Sequence, residues 1–400
     1  MKWIDTTLGQ VSTSIQTGPF GSQLHQSDYS EHGTPVVMPK DLSGGRISTT
    51  SIARVSNSHI ERLSRHKICP GDILYSRRGD VGRCAYASEM EEGWLCGTGC
   101  LRVTIDRKKA DPKFVFYQLQ TAKSIGWVEK HAVGATMLNL NTSILSQTPI
   151  LLPPIHVQSR IAGILSAYDD LIENNRKQIK LLEEAAQRLY KEWFIELRFP
   201  GWETAPIHDG IPDGWEKKTV EALCVLSKKT ISPDKVFPET PYIGLEHIPR
   251  KDFCLSEWGN SSEVSSNKYH FQKYDIIFGQ IRPYFHKVGF ALVDGVASTD
   301  SFVMKPLEKN WGLFLMTVSS EAFVNYSYQT CKEGAKMPRA DWNQMKNYTV
   351  LVAAENIQSK FESFIREIAG KIRALALQNK HLIEARDRLL PKLMNGEMEV

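Results

Sequence analysis

The sequence predicts an α+β protein: two mixed α/β domains separated by a long antiparallel two-helix coiled coil, arranged as a pseudo-two-fold internal repeat. Three observations support this fold class. Segments of the first half recur in the second half, two long stretches carry apolar residues at alternating spacings of four and three, and the other stretches consist of short apolar runs broken by turn residues. A chain of 400 residues is also long enough to form two globular domains with separate cores.

The internal repeat is clearest in the last third of each half. Gly134-Ala135-Thr136-Met137 recurs as Gly334-Ala335-Lys336-Met337, at an offset of 200 residues. Towards the start of each half the offset drifts, since Trp3 matches Trp215 at 212. The helical segments therefore match closely while the globular segments have diverged, which indicates a duplicated frame carrying two different heads.

Proline and glycine clusters mark where the helices and domains begin and end. Pro153 and Pro154 exclude a helix just before the central periodic stretch, and Pro391 restricts the second periodic stretch beyond Leu390. The sequence therefore predicts five segments: a first domain at residues 1–152, a central helix at 153–197, a linker at 198–212, a second domain at 213–352, and a C-terminal helix with a tail at 353–400.

Each long helix carries a heptad seam with one asparagine near its middle, which predicts that the two helices pack against each other. In the central helix the seam residues are Ile161, Leu165, Tyr168, Ile172, Asn175, Ile179, Leu182, Ala186, Leu189 and Trp193. In the C-terminal helix they are Phe361, Ile365, Ile368, Ile372, Leu375, Asn379, Leu382, Arg386 and Leu389. The alternative is that each helix only covers its own domain.

The two asparagines decide between parallel and antiparallel pairing. In an antiparallel pair the numbers of facing residues have a constant sum, and setting Asn175 opposite Asn379 makes that sum 554, so that Trp193 faces Phe361. A parallel alignment at the repeat offset would leave each amide unpaired against an aliphatic residue, at a cost of about 1–3 kcal/mol. The sequence therefore predicts an antiparallel coiled coil of about 48 Å, with its register fixed by Asn175 and Asn379.

Composition and charge exclude several classes of protein. Hydrophobic residues make up 42% and charged residues 24% of the chain, unlike a disordered, collagen-like or membrane-spanning protein. Met1-Lys2-Trp3-Ile4-Asp5 begins no apolar secretory segment and the seven scattered cysteines favour a reducing compartment, so we expect a cytoplasmic protein without a membrane partner. The formal charge of +4 is too small to diagnose a nucleic-acid binder, so any basic surface must be local.

The sequence contains no enzymatic signature. It has no P-loop, and Leu152-Pro153-Pro154-Ile155 lacks the polar and aromatic members of the amino-methyltransferase motif. Pro212-Asp213 with Glu216 and Lys218 superficially resembles a nuclease site, but the carboxylates are too close together in the sequence. Cys96 and Cys100 have no matching second pair, which favours buried thiols over a zinc site. We therefore expect no catalytic residue and no metal site in this chain.

Candidate binding residues lie at equivalent places in the two halves. In the first half, Pro70-Gly71-Asp72 leads into an apolar run and Gly79-Asp80 turns the chain back, which predicts a hairpin. Side chains that bond base edges and phosphates follow this run and its counterpart, and we predict DNA contacts from Arg77, Arg78, Arg83, Gln280, Arg282, Tyr284 and Lys287. A solvated hairpin surface is the alternative. The loop at residues 17–24 fits either phosphate binding by backbone amides or a tight turn.

The order of these features resembles the specificity (S) subunit of a type I restriction-modification system. The resemblance covers essentially the whole chain. It rests on residues 17–24, on Pro70-Gly71-Asp72-Ile73-Leu74, on Leu152-Pro153-Pro154 leading into Gln158, and on Leu389-Leu390-Pro391-Lys392-Leu393-Met394-Asn395-Gly396. Each motif is modest by itself, but two unlike heads alternating with two like helices form a specific combination.

The resemblance implies that the two domains are target-recognition domains, each reading one half of an asymmetric bipartite site in double-stranded DNA, while the helices set the spacer. It also implies two methyltransferase (M) subunits docked on the helices and using S-adenosylmethionine, and restriction (R) subunits using ATP and Mg. This chain would bind none of these cofactors itself and would hold no catalytic residue. Two alternatives stay open: a self-contained DNA methyltransferase or nuclease with unrecognised motifs, and a coiled-coil scaffold that does not bind DNA.

Overall fold

The computed structural model describes residues 3–134, 136–227, 229–332, 334 and 336–400. Met1 and Lys2, which enter the expectation about targeting, and Ala135 and Ala335 of the repeated tetrapeptides lie outside the described residues.

The chain forms two compact units. The first unit comprises Met1–Asp170 and Leu382–Val400, and the second comprises Leu171–His381. The boundaries fall inside the two long helices, so each unit contains one end of each helix. The division into five segments, which is based on the proline and glycine clusters of the sequence, stays a prediction.

The first unit contains two four-stranded sheets. One sheet has the strand order Leu95–Cys96, Thr34–Val37, Ala53–Val55, Tyr29–Ser30. The other is antiparallel throughout, with the order Ser12–Thr17, Cys100–Ile105, Ile73–Ser76, Cys84–Tyr86. Two short pairs complete the strands, Ile4–Thr7 with Pro149–Leu152 and Leu42–Ser43 with Arg46–Ile47.

Helices cover the second of these sheets, so all four residues of its strand Ile73–Ser76 are buried. The helices before the central helix are Leu8–Val11, Asn57–Arg62, Pro112–Leu119, Ala122–His131 and Thr142–Ser146. Asp111 caps the N-terminus of helix Pro112–Leu119, because its side chain accepts from the backbone N–H groups of Lys113 and Phe114. Pro112 occupies the first position of this helix, where the missing N–H is not needed.

The second unit contains two five-stranded sheets. Their orders are Cys224–Ser227, Ser301–Pro306, Ile276–Gly279, Val288–Ala291, Cys254–Leu255 and Thr230–Ile231, Lys268–Phe271, Gly295–Ala297, Pro241–Ile243, Gly259–Asn260. Two short pairs are Ile207–His208 with Ile211–Pro212 and Glu216–Thr219 with Thr349–Val352. The short helices are Trp311–Val318, Glu321–Gln329 and Trp342–Met345.

The internal repeat is visible in the sheets. In the first unit, neighbouring strands of the helix-covered sheet are Ser12–Thr17, Cys100–Ile105, Ile73–Ser76 and Cys84–Tyr86, and in the second they are Cys224–Ser227, Ser301–Pro306, Ile276–Gly279 and Val288–Ala291. In both sheets the strand that comes last in the chain therefore lies between the first strand and the hairpin. Ile276–Gly279, the counterpart of Ile73–Ser76, is likewise buried over its whole length. The mixed α/β character predicted for both domains is therefore confirmed, and each domain contains an equivalent hairpin, Ile73–Ser76 with Cys84–Tyr86 in the first and Ile276–Gly279 with Val288–Ala291 in the second.

The two long helices run antiparallel, which confirms the predicted fold class. The central helix spans Ile155–Tyr190, 36 residues, and continues as a π-helical turn at Lys191–Ile195, while the C-terminal helix spans Glu355–Met394, 40 residues. Within the second unit the side chain of Asn175 contacts that of Asn379, and the rings of Trp193 and Phe361 lie 5.8 Å apart. These contacts follow the 554 register, and the seam between them is part of the core of the second unit.

Pro391 does not end the C-terminal helix, contrary to the expectation from the sequence. The helix runs through this proline to Met394. A proline removes one N–H donor from the helix, but here the loss falls in the last turn, where a single backbone bond is affected. Leu393 and Met394 are buried in the core of the first unit, which stabilises that last turn.

Within the first unit, the C-terminal helix also contacts the central helix through a charged residue. The constant sum of 554 sets Arg386 opposite Tyr168, and Nη1 of Arg386 donates to Oδ1 of the neighbouring Asp169 at 2.6 Å. The hydroxyl of Tyr117 donates to the other oxygen of Asp169 at 2.5 Å, and Arg46 donates to its backbone carbonyl. The Arg386 side chain is one-fifth exposed, so its charge sits at the edge of the seam rather than in the core.

Two buried glutamates on the long helices bind backbone amides of the second unit. Oε1 of Glu183 accepts from the N–H groups of Phe253 and Cys254, both at 2.9 Å. Glu362 accepts from the N–H groups of Gly312 at 2.7 Å and Leu313 at 3.0 Å, at the start of helix Trp311–Val318. Each glutamate therefore stabilises a backbone segment of the adjoining domain through charge-assisted or carboxyl hydrogen bonds.

Candidate nucleic-acid interface

In the first unit the predicted hairpin ends in a loop at residues 77–83, the first hairpin loop. Its base is closed by the N–H of Ser76, which donates to the carbonyl of Arg83 at 2.9 Å. The N–H of Arg77 donates to the carbonyl of Gly99 at 2.8 Å, and its carbonyl accepts from the N–H of Leu140 at 2.8 Å. The loop is therefore held between two other segments, the turn at residues 97–100 and the segment at residues 138–140.

The three arginines of this loop have different surroundings. Arg78 is exposed. Arg83 is also exposed, and its Nε donates to Oδ2 of Asp80 at 2.6 Å in an ion pair that contributes little to stability at the surface. Arg77 is partly buried, and its Nε has no hydrogen-bond partner among the described residues. The structure thus places all three side chains at one loop, with Arg78 the least constrained by the contacts that the described residues make.

The second unit repeats this loop at residues 280–287, the second hairpin loop. The N–H of Gly279 donates to the carbonyl of Lys287 at 2.8 Å, and the N–H of Gln280 donates to the carbonyl of Asp300 at 2.9 Å. The carbonyl of Gln280 accepts from the N–H of Ala340 at 3.0 Å. Gln280 therefore occupies the position of Arg77, and Lys287 that of Arg83.

Arg282 occupies the position of Gly79. The N–H of Gly79 donates to the carbonyl of Leu138 at 3.0 Å, and that of Arg282 donates to the carbonyl of Pro338 at 2.7 Å. Both residues have a left-handed backbone, with φ of 75° for Gly79 and 52° for Arg282. An arginine in this conformation is strained where glycine is not, which points to a role for its side chain.

Some side chains of the second hairpin loop are exposed, and others make hydrogen bonds within the second unit. Tyr284 is 48% exposed and packs edge-on against Tyr328, with ring centres 5.4 Å apart. Gln280 is buried, with Nε2 donating to the carbonyl of Thr299 at 3.4 Å. Nζ of Lys287 donates to the carbonyl of Leu245, and burial lowers the pKa of this amine. Gln280 and Lys287 thus make internal hydrogen bonds, whereas Tyr284 offers an open aromatic edge.

Two arginines beside the second hairpin loop were missed by the sequence reasoning. The guanidinium of Arg250 lies 4.0 Å from the ring centre of Phe285, and that of Arg282 lies 5.9 Å from the same ring. Nη2 of Arg339 donates to Oδ1 of Asp300 at 2.6 Å. The sequence held one signal for Arg339, because it follows the repeated tetrapeptide at the same spacing as Asn139 does in the first half.

The loop at residues 17–24 is a tight turn that contacts residues 97–100, the same turn that the first hairpin loop contacts. The N–H of Gly18 donates to the carbonyl of Cys100 at 2.9 Å, and a Cβ at this position would lie 2.0 Å from the carbonyl oxygen of Gly97, so only glycine fits. The N–H groups of Phe20 and Gln23 make bonds within the loop. The structure favours the tight-turn interpretation for these amides.

The described part of the chain contains no group of three or more His, Cys, Asp or Glu side chains placed to hold a metal ion. Cys96 and Cys100 are buried, and burial raises the pKa of Cys96 to about 12, which keeps it a thiol. Among the described helices none is long and apolar enough to cross a membrane.

Residues 2–184 match the family described as type I restriction modification DNA specificity domain. Over 386 residues the chain is 25% identical to the type I restriction enzyme MjaIX specificity subunit of Methanocaldococcus jannaschii, covering 92% of this chain and 87% of that protein. The chain is therefore similar to type I restriction-modification specificity subunits along nearly its whole length. The function of this family is DNA sequence recognition.

Two further specificity subunits resemble this chain over nearly its whole length. The type I restriction enzyme HindI specificity subunit of Haemophilus influenzae is 19% identical over 470 residues, covering 99% of both chains. The crystal structure of the type I restriction-modification system S subunit from M. genitalium matches with a TM-score of 0.62 at 16% identity, covering 98% of this chain and 96% of that one. The structural match shows that the specificity-subunit fold is shared.

Proposed function

We propose that this chain reads an asymmetric bipartite site in double-stranded DNA, with the first hairpin loop contacting one half and the second hairpin loop the other. The observation that carries the proposal is the equivalence of the two loops. Both are held by the same backbone hydrogen bonds, yet equivalent positions carry different side chains, as with Arg77 and Gln280. An identical frame with different side chains suits a protein that reads two different sequences in the same way.

The proposal includes the coiled coil as the spacer. One compact domain makes only a few base contacts, each worth roughly 1–3 kcal/mol of discrimination. Joining two such domains makes the second binding event intramolecular, with a benefit only when the half-sites have the matching separation. Helices of 36 and 40 residues, joined by a buried amide pair, support a defined register between the half-sites.

We further propose that the chain contributes no catalytic residue and acts in the cytoplasm as part of a larger complex. Two methyltransferase (M) subunits would dock on the long helices and supply S-adenosylmethionine, and restriction (R) subunits would supply ATP and Mg. The absence of methyltransferase and P-loop motifs from the sequence supports this division of labour. The small formal charge of +4 predicts weak DNA binding by the lone chain and firmer binding in the complex.

The test is to sequence modified adenines in DNA methylated by the full chain together with its M subunits. We expect one motif with two defined halves and a fixed spacer, and no methylation by the lone chain with S-adenosylmethionine. Turnover by the lone chain, with S-adenosylmethionine or with magnesium, would instead support a self-contained enzyme. DNA affinity of the complex that does not change with salt would support a scaffold without DNA binding, because phosphate contacts release counterions.

A further inference from the structure

Arg339 lies beside the second hairpin loop and is held there by two side chains. Its Nη1 donates to Oε1 of Gln280 at 3.2 Å, and its Nη2 donates to Oδ1 of Asp300 at 2.6 Å. The Arg339 side chain is 51% exposed. A guanidinium has five N–H donors in a fixed plane, so these two bonds orient the group while leaving it donors for a ligand.

Asn139 occupies the same place in the first unit. In an isolated antiparallel bridge Asn139 pairs with Arg78, and in the corresponding bridge Arg339 pairs with Ile281. The two residues are 200 positions apart, the offset of the repeated tetrapeptides. The segments at residues 138–140 and 338–340 therefore return to the two hairpin loops in the same register.

The two units exchange the chemical groups at these positions. The first unit has an arginine on the hairpin loop, Arg77, and an amide on the returning segment, Asn139. The second has the amide on the hairpin loop, Gln280, and the arginine on the returning segment, Arg339. In the first unit Nε of Arg77 and Oδ1 of Asn139 are buried atoms that have no hydrogen-bond partner among the described residues. Buried polar atoms without partners are rare in proteins, so these two call for an explanation.

Arginine and amide side chains are the two groups that read base edges in the major groove with paired hydrogen bonds, arginine preferring guanine and the amides adenine. We propose that Arg339 is a specificity-determining residue of the second domain, oriented by Gln280 and Asp300, and that Arg77 with Asn139 forms the corresponding pair in the first. This inference rests on the proposed function. It changes the assignment made from the sequence, because Gln280 becomes a positioning residue and Arg339 the group that contacts the base.

The experiment is methylation-site sequencing with the full chain and its M subunits, comparing the natural protein with Arg339→Ala and Arg77→Ala. Arg339→Ala should relax one position of one half-site, with a loss of preference of roughly 5- to 100-fold, and leave the other half unchanged. Arg77→Ala should relax the opposite half. Lys346→Ala is the matched control, because Lys346 also forms an ion pair with a carboxylate of the second unit, Glu221, at 3.0 Å; it should leave the motif unchanged.

Each other outcome has a distinct meaning. An unchanged motif for Arg339→Ala, with normal methylation, overturns the inference and leaves the proposed function standing. An equal loss at all sequences also overturns it, since that is the result expected of a phosphate contact. Absence of any motif with the natural protein overturns the proposed function itself. If Arg339→Ala unfolds, two other variants test the inference: Arg339→Lys, and the double exchange Gln280→Arg with Arg339→Asn. We expect each of these variants to change the preference at the same half-site.

Discussion

Nδ2 of Asn175 donates a hydrogen bond to Oδ1 of Asn379 at 2.9 Å, and both side chains are buried. The amide nitrogens of the pair make two further hydrogen bonds. Nδ2 of Asn175 donates to Oε1 of Gln378 at 2.9 Å, and Nδ2 of Asn379 donates to the carbonyl of Ile172 at 3.2 Å. These bonds place one hydrogen-bonded polar layer in a mainly apolar seam, which is a device that fixes register at some expense of stability.

Replacing one of these asparagines should destabilise the protein more than replacing both. Asn175→Leu leaves Asn379 buried without its partner, and we expect a loss of about 1–3 kcal/mol in the free energy of unfolding. Asn175→Leu with Asn379→Leu should recover most of this loss, because no polar group is then left unpaired. Denaturant unfolding of the four proteins of this double-mutant cycle measures the coupling. Additive effects of the two changes would show that the amide pair does not fix the register.

The stability of the second unit should depend on the protonation of Glu183. Burial, reinforced by the nearby charge of Asp252, raises the pKa of Glu183 from its ordinary 4.5 to about 7. The folded state then holds this proton more tightly than the unfolded state, so its contribution is complete below about pH 4.5 and is lost as the pH rises through 7. The difference amounts to about 3 kcal/mol.

Glu183→Gln isolates this effect, since the amide oxygen can still accept from the N–H groups of Phe253 and Cys254 but does not ionise. We expect the free energy of unfolding of this variant to rise relative to the natural protein between pH 5 and pH 8, measured by denaturant titration at several pH values. A constant difference between the two proteins over this range would contradict the prediction.

Arg282→Gly should separate stability from binding. Glycine adopts the left-handed backbone of this position without strain, as it does at Gly79, so we expect unfolding to require about 1 kcal/mol more free energy in the variant. DNA affinity of the complex should fall, because the guanidinium is lost. Gly79→Ala is the converse control and should destabilise by about 1 kcal/mol. A variant that binds DNA as well as the natural protein would remove Arg282 from the interface.

The length of the coiled coil should set the spacer of the recognised site. Deleting one heptad from each helix keeps the seam in phase and shortens it by about 10 Å. We expect methylation-site sequencing to show a shorter spacer. Each base pair removed from the spacer also rotates one half-site relative to the other by roughly a tenth of a turn, so the new spacer must fit the domains in both distance and rotation. Deleting a heptad from one helix alone should abolish assembly or alter the spacer. An unchanged spacer after the paired deletion would contradict the proposed role of the helices.

The helix pair and the hairpins could be predicted because each depends on a local or periodic pattern. One register alone sets Asn175 opposite Asn379, and Gly79-Asp80 turns the chain where an apolar run ends. Other features depend on contacts between distant segments, which periodicity does not encode. Nothing in the sequence near Gln280 shows that residues 338–340 return beside it and bring Arg339 into contact. The continuation of the C-terminal helix through Pro391 has a related cause, because burial of Leu393 and Met394 outweighs one missing backbone bond.

Glu183 and Glu362 hold the second domain by its main chain, and the main chain is the same whatever residues it connects. A domain with entirely different loops could be seated on these two carboxylates as long as its backbone passes the same points. The hydrogen bonds between the two long helices and the second domain therefore do not depend on which DNA sequence the domain recognises. Such an attachment allows the loops of the second domain to change in sequence while the contacts that hold it to the two helices stay the same.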